Sequence, residues 1–306
     1  MDDEERCNGG LSYLFGFENS TGAVAVVIAV ITVCFVISAI TGIGRGIKFL
    51  SNLNIVLMII LFGFFLVFGP TGFLFKNFGV TVGAYLRDLP KLSFSTVLFE
   101  NEGWTRGWTV FYWAFWIAWA PFVGGFIARV YRGRTIREFV LMVLIAPAVF
   151  SFIFSTVIGG TGIYMDLFEG TAIGKVALEL SLYETLTHMP GTLFMSAVGG
   201  LWATSFVITS ADSATYVMAR LCTKGQDPED PKAGSRLTVV WGSLLGILTI
   251  GFSYSGGLNG LKAATIIGSV PFIVIMFLCI ASLVIALLRE KNQAADTAAA
   301  NPMASE

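Results

Sequence analysis

Seven apolar runs, each long enough to cross a bilayer, constrain this 306-residue chain more than any other feature. They are Ala23–Gly42, Leu53–Phe75, Thr105–Arg129, Glu138–Gly160, Thr192–Arg220, Leu237–Tyr254 and Ala264–Leu288. About 20 apolar residues in a helix cover the hydrocarbon core. Lipid offers no partner to backbone N–H and C=O groups, so such runs must satisfy them internally as helices. The expected fold class is an all-α integral membrane protein with seven transmembrane helices. Composition agrees: 13% of residues are charged and 55% hydrophobic, against roughly 25% charged in soluble domains. With a net charge of −1, no nucleic-acid partner is implied.

The four cysteines, Cys7, Cys34, Cys222 and Cys279, are scattered without CxxC or histidine pairing. They form no metal-thiolate site or disulfide framework. Cys34 and Cys279 lie in apolar runs and read as small core residues. The first twenty residues are acidic and polar, and lack the basic and apolar regions of a signal peptide. The first span is therefore expected to direct insertion.

Positive charge sets the orientation. With the N-terminus outside, the inner loops hold Arg45, Lys48, Arg129, Arg132, Arg134, Arg137, Arg220, Lys224, Lys232, Arg236, Arg289 and Lys291, which is twelve cations. The outer segments hold seven. The positive-inside rule then favours an outer N-terminus and a cytoplasmic C-terminus. An outer N-terminus with an acidic, polar start is unusual for an intact multi-span protein of this kind, which leads us to expect a chain that begins inside something larger. Asn77–Leu98 reads as an interfacial helix ending near Pro90, and Met165–His188 as an outer polar segment whose Val176–Leu186 part is amphipathic. Thr223–Ser235 is a solvated connector, and the tail after Lys291 is expected to be disordered.

Two spans carry chemistry. In Gly107–Phe139, Trp108, Tyr112, Trp116 and Trp119 fall at i, i+4, i+8 and i+11, sharing one face of an ideal helix. The interfacial aromatic belt accounts for Trp104 and Trp108 but not for Trp116 and Trp119 at mid-depth. Core packing is the plain alternative. The functional alternative is a cage of ring faces for a quaternary ammonium, which has no N–H to donate. Pro121 removes one backbone N–H and loosens the helix at the carbonyl of Ile117.

In Ser205–Leu221, Ser205, Thr209, Ser210, Asp212, Ser213 and Thr215 gather hydroxyls and one carboxylate. Hard cations such as Na⁺ prefer oxygen ligands. The same hydroxyls also serve to satisfy helix carbonyls or join helices. Asp212 reads either as an intramembrane functional group, a proton carrier among the options, or as an inner-surface partner of Arg220 or the Arg129–Arg137 cluster. Arg129, Arg132 and Arg134 read as topology determinants, with gate-forming ion pairs as the alternative. No nucleophile–base pair, metal cluster or phosphate loop is present, so no enzyme is expected and no cofactor is implied.

The motif WTVFYWAFWIAWAPFVGGFIARVYRGRTIREF strongly resembles the signature of the betaine/carnitine/choline transporter family (BCCT). Gly10–Gly16, Gly42–Asn54 and Val207–Val217 are also similar to that family, and the resemblance runs from about Gly10 to Glu290. It implies an inverted-repeat sodium-symporter-type fold, with members commonly forming homotrimers. On this alignment the chain is the C-terminal portion of a member lacking the first five helices. Residues 1–22 are then an external segment, and 23–104 carry the last two helices of the first repeat with the amphipathic segment. Residues 105–288 form the complete second five-helix repeat, and 289–306 a disordered cytoplasmic tail.

Residue by residue, the resemblance makes Trp116 the second-repeat tryptophan of the substrate box, flanked by Phe115 and Trp119, with Tyr112 one turn before. Phe115 departs from the more usual Trp, keeping a ring face but dropping the indole N–H. Thr209 and Ser210 match the pair whose oxygens serve sodium sites, with Phe206 nearby. Sodium-independent exchangers carry a Met at the position of Val123, so Val123 favours sodium coupling. The implied function is secondary active transport, as Na⁺ symport, of glycine betaine, choline or carnitine. Osmoprotection or nutrient uptake is the implied role, and the lipid bilayer the remaining partner. The alternative is a truncated non-transporting remnant or a split subunit.

Overall fold

A computed structural model describes residues 21–41, 46–94, 102–130, 133–223, 235–255 and 257–300. The described residues are helical apart from short turns, and nine helices organise them. These are α1 (Thr21–Thr41), α2 (Lys48–Phe68), α3 (Thr71–Phe94), α4 (Phe111–Val130), α5 (Ile136–Phe154), α6 (Ser181–Thr187), α7 (Thr192–Leu221), α8 (Ser235–Tyr254) and α9 (Gly257–Ala300). Six helical stretches among the described residues are long and apolar enough to cross a membrane: α1, α2, α5 with its continuation, α7, α8 and α9. The chain is thus an all-α, multi-pass membrane protein. The remaining expected span, Thr105–Arg129, is also helical, a π-helical turn at Thr105–Val110 leading into α4. The side chains of Arg106, Phe126 and Arg129 in it lie outside the described residues.

Contacts divide the chain into two compact units, one of residues 1–96 and 126–257, the other of 97–125 and 258–306. In the first, α7 packs against α1, α2 and α8, and α8 packs along α1. Leu57, Leu61 and Phe65, one turn apart on α2, are buried. Leu61 and Phe65 join a core with Val157, Met165, Leu186, Met189 and Met195. Glycines allow the closest approach: a Cβ at Gly246 would lie 2.5 Å from the Thr32 hydroxyl of α1. One turn back, a Cβ at Gly242 would meet Val36 and Phe35. This Gly-x-x-x-Gly spacing lets two membrane helices gain dispersion contact where burial from lipid supplies little.

Several boundaries differ from the sequence reading. The run Leu53–Phe75 is split at Gly69–Pro70, where Gly69 is extended and α3 begins at Thr71. Pro70 supplies no N–H and disfavours α geometry in the residue before it, so the helix stops there despite unbroken hydropathy. Pro90 lies inside α3 rather than ending it. On its exposed side, Arg87 donates twice to Asp88 at 2.9 Å. That guanidinium holds the Asp88 carboxyl below the usual carboxylate range.

The span expected to end at Gly160 runs on through π-helical Ser155–Gly159, a short α-helical piece Gly160–Tyr164 and π-helical Met165–Glu169. The outer polar segment therefore begins as helix. Asp166 then closes the next turn by accepting from Thr171 Oγ1 (2.5 Å), Ile173 N (2.8 Å) and Gly174 N (2.7 Å). The tail is also corrected: α9 continues to Ala300. Alanine, lysine, glutamate and glutamine extend a helix readily once nucleation is complete. Cys34 and Cys279 are exposed rather than core. On a membrane helix an apolar face needs no protein cover, so hydropathy does not separate inward from lipid-facing positions.

Candidate functional site

The aromatic segment enters through the π-helical turn Thr105–Val110, which is wider than an α turn and shifts the phase of residues before Phe111. The rings therefore do not form the single straight stripe that ideal spacing predicts. Trp108 stacks on Tyr112 (6.0 Å between centres, 13°), and Tyr112 meets Phe111 edge-on at 5.4 Å. Phe111 leads to Phe115 at 6.2 Å. Phe115 then contacts both Trp116 (5.9 Å) and Trp119 (5.0 Å), which lie 6.3 Å apart. The four expected residues thus join one ladder, with Phe111 as its missed link. Trp116 is 57% exposed and Tyr112 48%, so ring faces are open to a ligand. Pro121 lies inside α4, which continues through it.

The rings already face a cation. Lys262 Nζ of α9 sits 4.9 Å from the Trp108 ring centre and 5.4 Å from that of Phe111. Both distances are within cation–π range. Phe122 and Phe272 join α4 to α9 further along, 5.8 Å apart.

The hydroxyl cluster belongs to the other unit, on α7. Thr209 Oγ1 donates to Ser205 O (2.8 Å) and accepts from Asn54 Nδ2 of α2 (2.8 Å). Ser205 Oγ donates to Asn54 Oδ1 (2.6 Å). A hydroxyl has one proton and two lone pairs. The Thr209 proton is committed to its own helix and one lone pair to Asn54, which leaves a second lone pair for a cation. Ser210 is half-buried beside it. Phe206 is exposed and contacts Trp202 at 6.1 Å. Two turns below Ser205, Asp212 is fully buried and accepts from Ser38 Oγ of α1 (2.5 Å) and Ser213 Oγ (3.1 Å). Two hydroxyls therefore answer this carboxylate among the described residues, and not the arginine that one of the sequence alternatives offered. Arg220 instead lies over the Tyr216 ring, 5.2 Å from its centre. Thr215 Oγ1, buried one turn on, has no hydrogen-bond partner among the described residues.

Of the expected cytoplasmic charges, all of Arg132 and the side chain of Arg129 lie outside the described residues. Arg134 is exposed at the turn before α5. There Thr135 and Glu138 cap each other's backbone N–H groups at 3.2 Å, so the motif RTIRE starts a helix through a capping box. No cluster of three metal-ligating His, Cys, Asp or Glu occurs among the described residues. Asn54 and Ser38 were missed at the sequence level. The only signal for Asn54 was a polar side chain at the start of the apolar run Leu53–Phe75.

Comparison with known proteins fits this arrangement. Residues 5–292 match the family described as BCCT, betaine/carnitine/choline family transporter. The chain is 40% identical to the glycine betaine transporter OpuD of Bacillus subtilis, over 94% of this chain and 56% of the relative. It is 37% identical to an ectoine/hydroxyectoine transporter of Virgibacillus pantothenticus, over 90% and 55%. Against the high-affinity choline transport protein of Escherichia coli K12 it is 35% identical, over 90% and 41%. The chain thus spans about half the length of the curated relatives it matches. A match covering nearly the whole chain, on an all-α membrane fold with an open aromatic ladder, places this chain in the BCCT family of transporters, a family of carriers rather than enzymes.

Proposed function

We propose that the protein serves Na⁺-coupled secondary transport of a quaternary ammonium compound, with glycine betaine the first candidate and choline and carnitine the others. The observation that carries this reading is the ladder Tyr112, Phe115, Trp116 and Trp119 with its open ring faces. A trimethylammonium group cannot donate a hydrogen bond, and ring faces hold it at about 0.5–2 kcal/mol each. The names of the relatives, glycine betaine and choline transporters among them, support the same substrate class. Thr209 and Ser210 are the proposed sodium ligands, with Phe206 beside them. Asp212 and the arginines Arg129, Arg132 and Arg134 are proposed to act at the cytoplasmic side. A plasma-membrane location with a cytoplasmic C-terminus, homotrimer assembly and a role in osmoprotection belong to this reading.

The test is uptake of radiolabelled glycine betaine by an osmolyte-transport-deficient bacterium expressing the protein, with Na⁺ or with K⁺ in its place. Sodium-dependent uptake is expected. Its absence, with the protein found in the membrane, counts against the reading. Thr209→Ala removes a hydroxyl whose free lone pair suits a hard cation. It is expected to raise the Na⁺ concentration for half-maximal uptake severalfold while leaving the maximal rate at saturating Na⁺ largely intact. An unchanged Na⁺ dependence removes Thr209 from the sodium site.

A further inference from the structure

Lys262 has no role in the reading above, yet its ammonium occupies the Trp108 end of the aromatic ladder. Nζ lies 4.9 Å from the Trp108 ring centre and 5.4 Å from that of Phe111. Among the described residues it has no carboxylate partner, and the groups its ammonium faces are the Trp108 and Phe111 rings. The next rings, one step of about 6 Å further on, are those of Tyr112 and Phe115. A ligand ammonium on those faces therefore shares the ladder with a fixed positive charge.

The consequence depends on the ligand's own charge. A quaternary ammonium with no acid group places a second cation beside the first. Like charges at such spacing repel appreciably wherever the local dielectric is below that of water. A short zwitterion has a carboxylate one or two carbons from its ammonium. Turned toward Lys262, that carboxylate accepts a charge-assisted hydrogen bond of about 2.8 Å. The 6 Å ring step roughly accommodates this arrangement.

We infer that Lys262 is a specificity-determining residue that makes the aromatic ladder favour zwitterionic over simply cationic quaternary ammonium compounds. The inference rests on the proposed aromatic site and narrows its substrate class. Lys262 acts through charge, and Met retains most of its aliphatic length without that charge.

The test is binding of glycine betaine and of choline to the full chain in detergent, read by tryptophan fluorescence. Wild type, Lys262→Met, Lys262→Gln and Lys262→Arg are compared, with helix content checked by circular dichroism. Wild type is expected to prefer glycine betaine. The neutral variants are expected to lower the betaine-to-choline affinity ratio about tenfold, the order of one close charge contact at partial exposure. Lys262→Arg, which retains both charge and ring contact, is expected to keep the wild-type ratio. A folded neutral variant with an unchanged ratio overturns the inference while leaving the aromatic site standing. Failure of both ligands to bind wild type overturns the aromatic site, and the inference with it.

Discussion

Replacing Trp116 by leucine is expected to abolish glycine betaine uptake while leaving the amount of protein in the membrane unchanged. Trp116 is the most open of the three rings that close the ladder, 57% exposed and in contact with Phe115 and Trp119. Leucine preserves apolar bulk, so helix α4 and its insertion should tolerate the change. What disappears is the negative ring face. Indole is the strongest of the aromatic partners for a cation, worth up to about 2 kcal/mol when desolvated, or more than tenfold in affinity. A site built from a few such faces, with no acidic group to attract the ammonium, depends on each of them to hold that end of the ligand. Trp116→Phe retains a weaker face and should fall between the two. Radiolabelled uptake normalised to protein detected in isolated membranes checks both variants. Full transport by the leucine variant would remove Trp116 from the substrate site and return it to ordinary packing.

The ladder also marks where sequence reading reaches its limit. The spacing of Trp108, Tyr112, Trp116 and Trp119 picked out a segment whose rings do meet, because a 3.6-residue period holds through α4. It did not anticipate the π-helical turn before Phe111, which makes Phe111 and Phe115 the links between the two ends. Hydropathy located α7 within one residue at its C-terminal end, since both ends coincide with a change in polarity. It overran Gly69–Pro70, because the break there comes from backbone geometry and leaves hydropathy unchanged. The hydroxyls of α7 were visible, but their partners were not. Asn54 lies 155 residues from Thr209 and Ser38 lies 174 from Asp212. Contacts across such separations depend on which helices adjoin, and periodicity within one helix does not contain that information. The exposed Cys34 and Cys279 show the same limit: in lipid, an apolar residue is at ease on either face.

The packing of α8 on α1 allows an equally direct test. Gly246→Val is expected to lower the thermal stability of the purified chain in detergent by about 1–3 kcal/mol, the usual range for overpacking. A new Cβ would lie 2.5 Å from Thr32 Oγ1 and 2.6 Å from its Cγ2, closer than carbon contacts permit. Thr32 yields little, since it is β-branched and its hydroxyl is fixed to Ile28 O at 2.7 Å. The helices must therefore separate. Thr32→Ala removes both atoms that clash, so the double variant should recover much of the loss; additive losses would show that the two residues do not meet. The separation has a further effect. Ser38, less than two turns beyond Thr32 on the same helix, donates to buried Asp212. Moving α1 away from α8 draws that donor from a carboxylate whose other side-chain donor among the described residues is Ser213. A buried carboxylate that loses a donor is costly, so the glycine contact and the intramembrane acid are expected to fail together. Thermal unfolding of Gly246→Val, Asp212→Asn and their combination measures this: if α1 has already withdrawn, the asparagine substitution should add less than its effect alone.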